Sequence, residues 1–234
     1  MTALPDTLPT APPAADAARA VALMESLPSV RWDDLDAAAE VTEGIARRIG
    51  DDRDLLRTLV LRALHTPELR EKFECHALDD KIVLWDDQEK GLRIRLRLAN
   101  TDQYERVHNH RYSFTAYILR GAYQHTLYAT DQPLDETADV TRFWPYLVRQ
   151  EDEGQVITLD HEQLHTTITA PETISLMIQS PARKQRSFMI RRADGHVWWR
   201  YGQADESAER RAEVRMSDER LAHWLGRLEA LGLL

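Results

Sequence analysis

The chain has 234 residues, 43% of them apolar, with six Trp spread from Trp32 to Trp224; it is long enough to bury a real core and too apolar for a disordered chain. A formal net charge of −9 removes any overall attraction for nucleic acid. The single cysteine, Cys75, excludes an internal disulfide and a Cys-based zinc site, and no apolar run approaches the ~20 residues of a membrane span, so a soluble cytoplasmic protein is expected.

Residues 1–13 carry four prolines among small residues and read as a disordered leader; Met1–Asp6 has neither the basic nor the apolar region of a signal peptide. From residue 14 to about 74 the pattern is helical. One helix is expected over Asp16–Leu27, and a second from Asp33-Asp34 to Gly50. A third follows Asp51-Asp52, with Leu56, Leu59, Val60, Ala63 and Leu64 on one stripe. Thr66-Pro67 opens a short fourth helix, Thr as N-cap and Pro at the first position.

Near residue 75 the period changes from 3.6 to 2. Ile82–Trp85 is a short strand, and in the next one Leu92, Ile94, Leu96 and Leu98 alternate with Arg93, Arg95 and Arg97. Tyr112–Leu119 and Tyr123–Tyr128 read as a hairpin about Gly121. Strands follow at Phe143–Arg149, Gln155–Leu159, Leu164–Ala170, Thr173–Gln179, Ser187–Arg191 and Val197–Tyr201. About nine short strands over 75–203 predict an antiparallel sandwich or barrel under a helical layer, and residues 204–234 add one helix N-capped by Ser217.

The chemistry concentrates at His108-Asn109-His110. On a strand, residues i and i+2 share a face, so this pair delivers two imidazoles to one point. His165, 165 − 110 = 55 residues later on another strand, supplies a third. Three neutral imidazoles suit Fe, Ni, Cu or Zn and leave positions open for other ligands. His161 is expected on the loop before that strand in a solvent or supporting role, and His125 reads as a half-buried strand histidine near the pocket. Arg93, Arg95 and Arg97 share one face, which is either a solvated exterior or, if the Leu/Ile face packs on the helices, the lumen. Arg183, Lys184 and Arg186 form a basic cluster. Tyr112, Phe114, Tyr117, Tyr123 and Tyr128 are expected in core and pocket walls, and one of Trp198 and Trp199 at an exposed face or an interface.

His108-Asn109-His110 followed by Gly121, and Gly154 followed by His165, resemble the two motifs of the cupin superfamily. Typical cupins place a glutamate four or five residues after the second histidine; Phe114 and Thr115 stand there. The chain is thereby more similar to the cysteine dioxygenase-like thiol dioxygenases, which bind iron through three histidines. Ser175-Leu176-Met177-Ile178-Gln179-Ser180-Pro181 resembles their Ser-x-His-x-Tyr-Ser-Pro segment, with Met177 and Gln179 replacing the histidine and tyrosine. Thr115 falls where the animal enzymes carry a crosslinked cysteine, and Lys81 near their carboxylate-binding arginine.

The resemblance covers roughly residues 75–190. It implies a double-stranded β-helix (RmlC-like jelly roll), a mainly β barrel, with an N-terminal helical layer and a C-terminal helix. It also implies an Fe(II) site of His108, His110 and His165, with Ni, Mn or Zn as alternatives, in a repurposed pocket. Ser175, Gln179 and Thr115 are the candidate catalytic residues; Arg95, Arg97, Lys81 and Tyr117 the candidate substrate contacts. The expected activity is a mononuclear non-heme iron oxygenase using O2 on a small polar or anionic molecule such as an amino acid or thiol. A non-oxidative isomerase or lyase, or a binding protein without catalysis, are the other readings. No nucleic-acid or membrane partner is expected, and homodimer formation is.

Overall fold

The computed structural model describes residues 9–76, 79–99, 106–202 and 205–234. Residues 1–8 of the expected leader lie outside it. The helical part is α1 (Ala14–Glu25), α2 (Leu35–Gly50), α3 (Arg53–Leu64) and α4 (Pro67–Arg70). Asp34 and Asp52 cap α2 and α3 by accepting from the main-chain N–H of Ala37 and Leu55. Thr66 does not cap α4; its hydroxyl donates back to Arg62 O instead.

Twelve strands follow among the described residues: β1 (Glu74–Cys75), β2 (Asp79–Asp87), β3 (Leu92–Ala99), β4 (Arg106–His108), β5 (Phe114–Arg120), β6 (Ala122–Thr130), β7 (Phe143–Asp152), β8 (Val156–Leu159), β9 (Leu164–Thr169), β10 (Ile174–Gln179), β11 (Arg186–Arg191) and β12 (Val197–Tyr201). They form two six-stranded antiparallel sheets, in the orders β1-β2-β3-β10-β5-β8 and β12-β11-β4-β9-β6-β7. From β3 to β10, every connection except β6–β7 crosses from one sheet to the other. That interleaving is a jelly roll, the fold expected from the sequence. Two helices close the chain, α5 (Ala208–Val214) and α6 (Asp218–Ala230), where one was expected; Ser217 caps α6 as predicted.

The helices cover the outer face of the first sheet. Leu56, Leu59, Val60 and Leu64 of α3 and Leu221, Trp224, Leu225 and Leu228 of α6 join Leu92, Ile94, Leu96 and Leu98 of β3 in one buried cluster. At roughly 1.5–3 kcal/mol for each large apolar side chain, this face is the main source of stability. Because the leucine face of β3 is claimed by the helices, alternation turns its arginines inward.

β5 and β6 are not the hairpin expected about Gly121. β5 pairs with β10 and β8, and β6 with β7 and β9. Gly121 turns the chain from one sheet into the other with φ of 82°, and a Cβ there would collide with Thr173. No helix among the described residues is long and apolar enough to cross a membrane.

Candidate metal centre and its cavity

His108 ends β4, and His110 follows in the loop that carries the chain to β5. The pair is therefore not carried by one strand, as the sequence suggested. Asn109 between them is fixed to β11: its N–H donates to Phe188 O (3.2 Å) and its Oδ1 accepts from Phe188 N–H (2.9 Å). The N–H of His110 donates to His161 O (3.2 Å). The imidazoles on either side of Asn109 both line the lumen. His108 stands opposite His165 of β9 in the register of the second sheet.

The ligating atoms of His108, His110 and His165 lie within 4.8 Å of one another. The Nε2 atoms of His110 and His165 are 2.8 Å apart. His108 Nδ1 lies 2.9 Å from Arg106 O, a pure acceptor, so Nδ1 carries the proton and Nε2 keeps its lone pair. Burial pushes the His108 imidazole down to about 4, against the support of that carbonyl, and Arg200, Arg97 and Arg106 add to the push. Burial likewise holds His110 and His165 well below the usual histidine range, with neighbouring charges acting in the same direction. All three are thus kept in the neutral form that binds metals. Three such donors, without salt bridges to other described residues, fit a divalent metal ion.

The triad opens on a cavity of about 490 Å³. Its other wall is the first sheet, where Lys81, Arg93, Arg95 and Arg97 line the lumen, the second of the two readings of that strand. Most of these cations have carboxylate partners. Arg97 Nε donates to Asp79 (2.7 Å), Lys81 Nζ to Glu74 (3.1 Å) and Arg93 Nη2 to Asp86 (2.8 Å). Burial pushes the Asp79 and Glu74 carboxyls up, but Arg97 and Lys81 outweigh it and hold both far below the usual carboxylate range. Arg95 differs. It donates to Tyr112 Oη (2.7 Å) and Met177 Sδ (3.0 Å), and its buried Nε has no partner among the described residues. Gln179 Oε1, also at the cavity, is a buried acceptor without a partner there.

Four of the expected site residues therefore line the cavity beside the triad: Arg95, Arg97, Lys81 and Gln179. Ser175 is fully buried behind Tyr123, their hydroxyls 2.7 Å apart. Thr115 and Tyr117 lie on the other face of β5. Thr115 Oγ1 bonds Thr42 (2.6 Å) on α2 and Thr158 (2.8 Å), and the Tyr117 hydroxyl donates to Asp51 at the end of α2. Both lie in the wall between barrel and helices, because β5 presents Phe114 and Ala116 to the cavity. His161 stays outside, its Nδ1 near Ser113 Oγ and Asp160. Trp198 and Trp199 are both half-buried and both line the cavity mouth. The residues that sequence reasoning missed are His125 as a contact of His165 (2.7 Å), and Glu151 behind it.

No family model and no curated protein matches the chain. Among solved structures, it is similar to an RmlC-like cupin from Shewanella frigidimarina NCIMB 400 (15% identity, TM-score 0.34, 48% of this chain and 85% of that one). It is also similar to KdgF from Halomonas sp. (13%, TM-score 0.33, 47% and 87%), and to hydroquinone 1,2-dioxygenase PnpCD in complex with Cd2+ and 4-hydroxybenzonitrile (11%, TM-score 0.34, 43% and 63%). At such identities and scores the likeness says nothing about activity. The fold assignment rests on the strand order, and the chemistry on the side chains that line the lumen.

Proposed function

We propose that this chain is a mononuclear non-heme iron(II) oxygenase that acts with O2 on a small polar, anionic molecule such as an amino acid or a thiol carboxylate. The observation that carries the reading is a face of three imidazoles, with no carboxylate among them, that shares one cavity with Arg95. His108, His110 and His165 would hold the iron, which would supply coordination positions for substrate and oxygen. Nickel, manganese and zinc suit the same donors.

The chain's own residues do the rest. Arg95 offers its guanidinium, which has no carboxylate partner among the described residues, to a substrate carboxylate, and Tyr112 and Met177 hold it still while it does so. Gln179 Oε1 accepts from an ammonium or hydroxyl group on the same molecule. Arg97, tied to Asp79 and Tyr123, steadies the wall behind. Phe114 and Met177 bring apolar surface to the triad and keep bulk water from the reacting end.

The test is oxygen uptake by protein loaded anaerobically with Fe(II), screened against small amino acids and thiol acids. Uptake with at least one anionic compound is expected, and His110→Ala should abolish both bound iron and uptake. Iron retained in that variant would overturn the ligand assignment. Turnover without O2 would instead point to an isomerase or lyase.

A further inference from the structure

Strands β9, β6 and β7 are neighbours in the second sheet, and their register puts His165, His125 and Glu151 on the same face of it. His125 stands directly opposite Thr167 on one side and Arg149 on the other. His165 and Glu151 are therefore its diagonal neighbours, within reach of long side chains. The contacts are made: His125 Nε2 lies 2.7 Å from His165 Nδ1, and His125 Nδ1 lies 3.1 Å from each Glu151 oxygen. His125, Glu151 and His165 are 2%, 3% and 4% exposed. Arg149 also donates its Nε to Glu151 Oε1.

Such a chain has a defined donor order. A carboxylate only accepts, so the proton between His125 and Glu151 sits on His125 Nδ1. In a neutral imidazole the other nitrogen then accepts, so His165 Nδ1 donates to His125 Nε2. That leaves His165 Nε2 unprotonated on the side where His110 Nε2 waits 2.8 Å away. The reverse order would put a hydrogen at that point and close the site to a metal.

We propose that Glu151 and His125 are a positioning pair: they fix His165 in the tautomer that can ligate a metal, lock its ring plane, and raise its donor strength through the carboxylate behind it. The inference rests on the three-histidine metal reading and not on oxygen chemistry. His108 gets the same tautomer from the main-chain carbonyl of Arg106. His165 gets it from side chains, His125 and behind it Glu151.

Two measurements test this. Long-range 1H–15N spectra of the imidazole rings of metal-free wild-type protein should show His165 as the Nδ1–H form; an Nε2–H form overturns the proposal, and no variant has to fold for that result. Co(II) titration of the metal-free protein should then show Glu151→Gln and His125→Leu binding about 10–100-fold more weakly, with shifted visible bands. His125→Gln, whose amide oxygen can accept from His165 Nδ1–H, should recover much of the loss. Folded variants that match wild type in Co(II) affinity and bands overturn the pair's role. Should wild type bind no Co(II), the metal reading fails, and the tautomer spectrum alone decides whether the pair sets the ring.

Discussion

The second sheet shows the cavity three of the site's imidazoles on its strands, His108, His125 and His165, with His110 just beyond β4. The first sheet shows it Lys81, Arg95 and Arg97. Both walls place polar groups where a barrel core is usually apolar, and each wall satisfies them differently. On the histidine wall, the outer nitrogens of His108 and His165 are held by Arg106 O and His125, while His165 Nε2 meets His110 Nε2 at 2.8 Å inside the triad. On the arginine wall, carboxylates occupy Lys81 and Arg97, whereas Arg95 has no carboxylate partner among the described residues and its Nε is unbonded there. The supporting bonds thus leave one open end on each wall, metal-directed on one side and anion-directed on the other. A buried polar group left open is costly, and such groups collect where a ligand satisfies them.

The sharpest way to break this contrast is at Arg95. Arg95→Met keeps the apolar stem and removes the anion end, so binding of an acidic substrate should weaken by about 2–5 kcal/mol, roughly 30-fold or more. Bound metal per chain should stay unchanged. A parallel loss of metal would show that the walls are not separate devices.

Asp79 tests the occupied part of the same wall. Its carboxyl is held far below the ordinary range, so its contribution to stability is fully present above the unfolded value near pH 4 and fades as pH falls below it. Asp79→Asn should cost about 1–3 kcal/mol at pH 7. In thermal melts the gap between variant and wild type should narrow as pH drops below 4. A constant gap down to pH 2 would count against the pair with Arg97.

Thr115→Val probes the outer face of β5 and should have the smallest effect. It removes hydroxyl bonds to Thr42 and Thr158 at about 1 kcal/mol, with metal content and substrate affinity as in wild type. A change in metal content would return Thr115 to the site.

These contrasts also explain what the sequence could show. The leucine and arginine alternation of β3 was readable because one face is apolar and the other charged, and only the neighbour of each face was open. β5 offered no such signal. Phe114 through Leu119 are buried on both faces, so Thr115 and Tyr117 gave no sign of which side they took. Tyr117 packs against Gly50, where a Cβ would crowd its ring, a contact set by the helix that lies over the strand. The histidine triad was legible from residue type and spacing, although its pair is split between a strand end and a loop. His125 and Glu151 were not: their partnership depends on β6 lying between β9 and β7, and the expected hairpin with β5 placed β6 in the other sheet.

The central claim is an iron site on the histidine wall, and metal analysis of protein produced without a histidine tag, joined to the spectrum of its anaerobic Fe(II) nitric oxide adduct, tests it most directly. About one iron per chain, with a nitrosyl signal that shifts when a small acid is added and stops shifting in Arg95→Met, is the predicted result. Zinc or no metal in the isolated protein, and no nitrosyl signal after loading with Fe(II), would contradict it.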